Sequence, residues 1–173
     1  MLPGSKPSWS DVAAALRADR QHWARHGHAY PRLNRGYHAI LLHRLSRFAH
    51  ERGWREAAWF LWLVNHAWTK ADLPPSTRIG GGLFLPHPAG IVIAGAVGKN
   101  VTLGMLVGIG GLYKKPEGDI GGGPGLPVIG DDVVIEARVL VLGPVKVGDR
   151  AWIKPRSFIR QDVEADHEVS IEA

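Results

Sequence analysis

The chain has 173 residues, enough for one compact domain with an appendage and a buried core. It contains no cysteine, which excludes disulfides, thiolate metal sites and a cysteine nucleophile. The formal charge of +5 is uneven, because residues 1–72 carry 11 Lys and Arg against 5 Asp and Glu. Such a basic segment is compatible with nucleic acid, an anionic membrane or a phosphorylated ligand. We favour a solvated helical surface, since no nucleic-acid motif is visible.

Residues 1–72 are predicted to form a helical region with three helices. Ser8 and Asp11 have the spacing of a capping box at the start of the first helix, SDVAAALRADRQHWARHG. The second helix, GYHAILLHRLSRFAHERG, places apolar residues on one side and arginines, Arg44 among them, on the other. The third, WREAAWFLWLVNHAWTKA, is apolar nearly all round, which predicts burial within the subunit or at a subunit contact.

The amino-terminal segment lacks the basic-then-apolar order of a signal peptide, and the apolar stretch from Ala57 to Val64 is too short to span a bilayer. We therefore expect a cytoplasmic protein. Six of the seven tryptophans lie in the helical region. They are compatible with peripheral membrane contact, but we favour helix packing or oligomer contact, because the third helix has no strongly polar face.

Residues 73–173 are predicted to form an all-β solenoid. An aliphatic residue returns every sixth position, a period that fits neither a helical stripe nor the alternation of a simple strand. It is typical of a parallel β-helix of hexapeptide repeats, with three hexads in each coil. The column runs through Ile79, Leu85, Ile91, Val97, Leu103 and Ile109, and resumes as Ile129, Ile135, Val141, Val147, Ile153 and Ile159.

The repeat is interrupted between Ile109 and Ile129, where the spacing is twenty residues and not eighteen. The intervening GGLYKKPEGDIGGGPGLPV is too rich in glycine and proline to form a strand. We predict a loop, extruded from the solenoid at about residues 110–128, in the kind of position where repeat proteins place binding functions.

His87 interrupts the solenoid pattern between two prolines, and Asp72 lies fifteen residues earlier, close to one coil length. Residues about one coil apart share a face of a solenoid. An aspartate there could fix the imidazole tautomer and leave the other ring nitrogen as a base. The alternative is a surface histidine and an unrelated aspartate.

The stretch DLPPSTRIGGGLFLPHPAGIVIAGAVGKNVTLG, together with IGDDVVIEARVLVLGPVKVGDRAWIKPRSFI, resembles serine acetyltransferases and the related acetyltransferases of capsule and exopolysaccharide gene clusters. The resemblance covers roughly residues 70–162. It implies a left-handed coil, a homotrimer, acetyl-CoA as co-substrate, no permanently bound cofactor and no metal. It also implies His87 as general base, Asp72 as its orienting carboxylate and a backbone N–H near the loop for the oxyanion.

The same resemblance implies the remaining site residues. Contacts with acetyl-CoA are expected from Gly110, Gly111, Lys114, Lys115, Ala137, Lys154 and Arg156. The acceptor is expected to face Pro86, Tyr113 and Leu126. Lys154 and Arg156 could bind CoA phosphates or could be surface charge.

Three positions depart from the family pattern. Pro86 stands where the family often has an acidic serine-binding residue, and Leu126 stands where it has a second histidine. Pro155 replaces a residue whose backbone N–H serves the pantetheine, and proline has no N–H. The first two changes argue against free serine as the acceptor, because its ammonium needs a carboxylate partner.

We therefore expect an acyl-CoA-dependent O-acetyltransferase that acts on a hydroxyl of a small molecule or sugar. The alternative is a catalytically weakened trimeric scaffold or regulatory partner, which the changes at Leu126 and Pro155 favour. A solenoid carbonic anhydrase is excluded, because its metal needs several histidines on adjacent coils and the solenoid has only His87 and His167.

Overall fold

A computed structural model describes residues 8–113 and 118–170. The amino-terminal part contains three α-helices, α1 (Trp9–Arg25), α2 (Arg35–Glu51) and α3 (Arg55–Thr69), and a 3₁₀ turn at Pro31–Leu33. The predicted capping box at the start of α1 is confirmed, because the Ser8 side chain accepts from the Asp11 N–H and the Asp11 carboxylate accepts from the Ser8 N–H.

Short strands follow in the rest of the described chain, most of them two residues long. They are β1 (Arg78–Ile79), β2 (Val92–Ile93), β3 (Ala96–Val97), β4 (Thr102–Leu103), β5 (Gly108–Gly110), β6 (Val128–Ile129), β7 (Val134–Ile135), β8 (Leu140–Leu142), β9 (Lys146–Val147), β10 (Trp152–Ile153), β11 (Phe158–Ile159) and β12 (Glu168–Val169).

The strands form three parallel sheets of four strands each. Sheet 1 has the order β1-β3-β6-β9, sheet 2 the order β2-β5-β8-β11, and sheet 3 the order β4-β7-β10-β12. From β3 to β11 the chain visits sheets 1, 3 and 2 in strict rotation. Each strand is therefore bonded to the strand one coil away, and the three-sided parallel arrangement is the one that a period of six predicts.

Most of the core lies inside this coil and consists of the aliphatic hexad residues, and it extends to Trp23 and Ile40 of the helices. Leu85, Leu103 and Ile135 are fully buried, and each such side chain contributes about 1.5–3 kcal/mol of hydrophobic free energy. One predicted position is wrong in register. Ile93, and not Ile91, pairs with Ile109 across β2 and β5, although Ile91 is also fully buried.

The helices are attached to the coil by a buried ion pair. Asp19 of α1 is fully buried and accepts from the Arg44 guanidinium of α2 at 3.0 Å. The same carboxylate accepts from the backbone N–H groups of Gly82 and Leu83, at 2.7 and 2.9 Å. The expectation that Arg44 lies on a solvated face is wrong, because its side chain is only 7% exposed.

Helix α3 packs on α2 by one face only. Ala58, Asn65 and Thr69 are its buried residues, and the Asn65 amide donates to the Ala39 carbonyl at 2.9 Å. Burial of the whole helix within the subunit, one of the two predicted alternatives, is wrong. Its exposed apolar side chains are Trp59, Phe60, Leu63, Val64 and Trp68.

Candidate active site

His87 lies on a corner of the coil that is longer than its counterparts. Phe84 pairs with Thr102, and Val92 pairs with Gly108. The corner between sheets 3 and 2 therefore spans eight positions in the His87 coil and six in the next. The two additional residues bulge from the coil, and the His87 side chain is exposed.

Hydrogen bonds hold this corner in a defined conformation. The Ile91 N–H donates to the Pro88 carbonyl at 3.1 Å, and the Gly90 N–H donates to the Lys70 carbonyl at 3.1 Å. Gly90 has a φ of 74°, and a Cβ there would lie 2.5 Å from a Leu106 methyl. The positive φ favours glycine at this turn, whereas the Leu106 methyl is the end of an exposed, flexible side chain that can move aside.

Asp72 is the first described residue of the chain that pairs with sheet 2, and it lies on the outer face of that sheet. It forms a parallel bridge with Val92, its N–H donates to the Ile91 carbonyl at 2.8 Å, and its carbonyl accepts from the Ile93 N–H at 3.0 Å. The residue that pairs with Asp72 on the neighbouring coil is therefore Val92, five residues after His87. The expectation that the Asp72 and His87 side chains stack directly is wrong. Asp72 and the His87 corner nevertheless meet at the same end of sheet 2.

Sequence reasoning missed a contact from α3. The Trp62 indole N–H donates to Oδ1 of Asp72 at 2.9 Å. Nothing in the sequence distinguishes Trp62 from the other tryptophans of this helix, because the contact depends on how α3 is placed against the coil.

An open groove lies on the outer face of sheet 2, under the extruded loop. Its volume is about 530 Å³. Four of the predicted site residues line it together: Gly110, Gly111, Tyr113 and Leu126. Val92, the partner of Asp72, lines it as well. The other lining side chains are mainly aliphatic, so the groove favours an apolar or neutral ligand surface over a charged one.

The described part of the loop has internal hydrogen bonds and a link to sheet 1. The Asp119 carboxylate accepts from the N–H groups of Gly121 and Gly123 at 2.8 and 3.0 Å, and these bonds lower its pKa. The Arg78 guanidinium donates to the Gly121 carbonyl. Lys114 and Lys115, predicted to contact CoA, lie outside the described residues.

The other predicted CoA residues lie on the corner between sheets 3 and 2, further along the coil. The Arg156 N–H donates to the Ala137 carbonyl at 3.0 Å, which stacks these two corners. Arg156 is exposed. The Lys154 ammonium already has two partners, because it lies 3.1 Å from Glu168 and 3.1 Å from the centre of the Trp152 ring. The structure does not bring Lys154, Arg156 or Ala137 into the groove under the loop.

Pro86 is half-buried beside His87, and none of Pro86, His87 and Asp72 lines the groove. A larger cleft, of about 690 Å³, lies at the last coil among residues 158–169 and contains none of the predicted site residues. Within residues 8–113 and 118–170, no group of three or more His, Asp or Glu side chains is placed to hold a metal ion. None of the helices described is long and apolar enough to cross a membrane.

Comparison with known proteins gives a consistent result. The chain is 33% identical to the serine acetyltransferase of Mycobacterium tuberculosis over 130 residues, which are 74% of this chain and 54% of that protein. It is 32% identical to the serine acetyltransferase of Helicobacter pylori over 130 residues, which cover 74% of this chain and 72% of that protein. No protein-family model matches the chain.

A solved structure agrees with these relatives. The serine acetyltransferase of Brucella abortus in complex with coenzyme A superposes with a TM-score of 0.80 and 29% identity, over 90% of this chain and 63% of that one. The chain thus spans little more than half the length of the first relatives it matches. The parallel coil and these relatives together define a hexapeptide-repeat protein. The chain belongs to the serine acetyltransferase family.

Proposed function

We propose that this protein is an acyl-CoA-dependent O-acetyltransferase, which transfers the acetyl group of acetyl-CoA to a hydroxyl group. The observation that carries the proposal is the position of His87 on an outward bulge, at the end of the sheet where Asp72 begins the outer face. The solved relative with coenzyme A bound supports the choice of donor.

His87 acts in this proposal as the general base. One ring nitrogen takes the proton of the acceptor hydroxyl while its oxygen attacks the thioester carbonyl carbon. The C–O bond forms, the negative charge develops on the carbonyl oxygen, and backbone N–H groups near the loop stabilise it. The C–S bond then breaks, and the imidazolium returns its proton to the thiolate of CoA. The products are an acetyl ester and free CoA.

Asp72 in this proposal orients the imidazole and stabilises its charged form. Its backbone is fixed by two hydrogen bonds to the strand that follows the His87 corner. The fixed backbone limits the positions that this carboxylate can reach.

We assign the CoA phosphates to the corner formed by Ala137 and Arg156. Arg156 is exposed and its guanidinium can form paired hydrogen bonds with a phosphate. Lys154 is assigned a smaller role than the sequence suggested, because Glu168 and Trp152 already bind its ammonium.

The acceptor in this proposal is a neutral hydroxyl compound, such as a sugar or another small alcohol, and not free serine. The groove beside Val92 has a mainly aliphatic lining that includes Leu126. An ammonium group without a carboxylate partner is costly in such a site. Pro86, beside His87, supplies no such partner.

We further propose a left-handed coil, a homotrimer and a cytoplasmic location, with residues 1–72 as the helical region and 73–173 as the β-helix. Three apolar side chains on the outer face of sheet 2 support the trimer, because a neighbouring subunit would remove them from water. They are Val92, Leu140 and Phe158, exposed by 42%, 42% and 56%.

A thiol-release assay with acetyl-CoA and a panel of sugars, alcohols and amino acids, serine included, tests the proposal. We expect His87→Ala to lower turnover by about 10²–10⁴ with little change in melting temperature. His167→Ala is the matched control, because His167 is also an exposed histidine of the coil.

Unchanged turnover in His87→Ala would remove this residue from the mechanism. A wild-type chain that releases no thiol with any acceptor would favour the scaffold alternative. Serine would become the acceptor if its kcat/KM reached about 10⁴ M⁻¹s⁻¹, within the ordinary range for enzymes.

A further inference from the structure

The end of α3 is joined to the two segments that carry His87 and Asp72. The helix ends at Lys70, a residue in the left-handed conformation with φ 63°. The Lys70 carbonyl accepts from Gly90 of the His87 corner. Two residues later, Asp72 enters sheet 2. Helix α3 therefore has a fixed position relative to both predicted site residues.

The Trp62 side chain extends from α3 to the Asp72 carboxylate, where its indole N–H donates to Oδ1 at 2.9 Å. Its ring is held by two aromatic neighbours. Trp59 contacts it edge to face with centroids 5.3 Å apart, and His66 stacks on it at 5.9 Å. His66 is in turn fixed by a hydrogen bond from Nδ1 to the Ala71 carbonyl at 3.3 Å.

The chemistry of this bond suits a carboxylate that orients a histidine. An indole N–H is a donor only and carries no charge. It can therefore fix the rotation of the carboxyl group without neutralising it. The bond occupies Oδ1 and leaves Oδ2 to accept from an imidazole N–H. A cationic partner in the same place would compete with the imidazolium for the carboxylate charge.

We propose that Trp62 is a positioning residue for the Asp72–His87 pair, an inference that rests on the proposed acetyltransferase function. Trp62 acts through Asp72 and touches neither substrate. In this arrangement the helical region supplies part of the active-site architecture, because the coil alone does not fix the side-chain rotation of Asp72.

The first experiment replaces Trp62 by Phe, which keeps an aromatic ring and removes the N–H. We expect kcat for acetyl transfer to fall by about tenfold or more, since the lost bond is made to a charged group. KM for acetyl-CoA and for the acceptor should stay within about twofold. Trp68→Phe is the matched control, because Trp68 also lies on α3 and its indole N–H donates to His38 of α2 at 3.1 Å. It should leave kcat unchanged.

A double-mutant cycle separates positioning from general packing. Asp72→Ala alone removes the acceptor and should lower kcat, and adding Trp62→Phe to it should lower kcat by less than about twofold more. If Trp62→Phe lowered kcat as much in the Asp72 variant as in the wild-type chain, the proposal would be overturned, because Trp62 would then act independently of Asp72.

Two further results need their own interpretation, a loss of stability in Trp62→Phe and a wild-type chain without activity. If Trp62→Phe lowers the melting temperature by more than about 5 °C, β-(3-benzothienyl)alanine at position 62 replaces the N–H by sulfur with little change of shape, and its kcat decides. Wild-type kcat in that variant would overturn the proposal. If the wild-type chain transfers no acetyl group, the proposed function itself fails, which is distinguishable from an active enzyme that tolerates the loss of the Trp62 N–H.

Discussion

Acidification is expected to destabilise the contact between α2 and the coil through one buried histidine. His43 is fully buried, and its Nδ1–H donates to the Leu73 carbonyl at 3.2 Å. Its Nε2 has no hydrogen-bond partner among the described residues. Burial first, and then the charge of Arg44, lower the pKa of this imidazole to about 3.

The sign and size of the effect follow from proton binding. In the unfolded chain the pKa of histidine is about 6.5, so between this value and about 3 the unfolded state binds a proton that the folded state does not. The free energy of unfolding is therefore unaffected by this group above pH 6.5 and falls below it by up to 1.36 kcal/mol per pH unit. At pH 5 the expected loss from His43 is about 2 kcal/mol.

Urea denaturation at pH 8, 7, 6 and 5 measures this effect when the wild-type chain is compared with His43→Asn. The asparagine amide can still donate to Leu73 but does not titrate. His26 and His50 also have lowered pKa values, caused first by burial, so the difference between the two proteins is the quantity of interest. An equal loss of stability in both between pH 8 and pH 5 would refute the reasoning. His167→Asn is the control for a histidine at the surface.

Two predictions concern charged residues. Arg156→Ala should weaken acetyl-CoA binding by about tenfold, an effect that added salt reduces. Lys154→Ala should change the affinity by less than about twofold, because Glu168 already pairs with that ammonium. Equal effects of the two substitutions in calorimetric titrations would contradict the assignment of the CoA phosphates to Arg156. Asp19→Asn should lower the free energy of unfolding by about 3–5 kcal/mol, because it leaves the buried Arg44 charge without its partner. A loss below about 1 kcal/mol in urea denaturation would contradict the role of this pair in holding α1 and α2 to the coil.

The coil could be predicted from the sequence because its repeat is short and every coil buries the same columns. Leu103 and Ile109 lie where the period of six places them. The period could not reveal the phase shift at His87, since Ile91 and Ile93 are both aliphatic and both fit an inward position. Only the pairing of Ile93 with Ile109 shows that two residues were added at this corner.

The contacts of the helices could not be predicted in the same way. Arg44 looked like a surface residue because arginine on a helix usually is one, and its partner Asp19 lies on another helix. Trp62 looked like a packing residue for a similar reason. Long-range pairs of this kind leave no periodic signal in a single sequence.

The junction between the helices and the coil is built around the segment that carries Asp72. His43 binds the Leu73 carbonyl, Trp62 binds the neighbouring Asp72 carboxylate, and the Ile91 carbonyl binds the Asp72 backbone. Protonation of His43 does not remove its bond to Leu73, but it introduces a charge beneath the segment that carries Asp72. If the proposed function is correct, we expect substitutions at the junction to reduce acetyl transfer more than their effect on the free energy of unfolding accounts for.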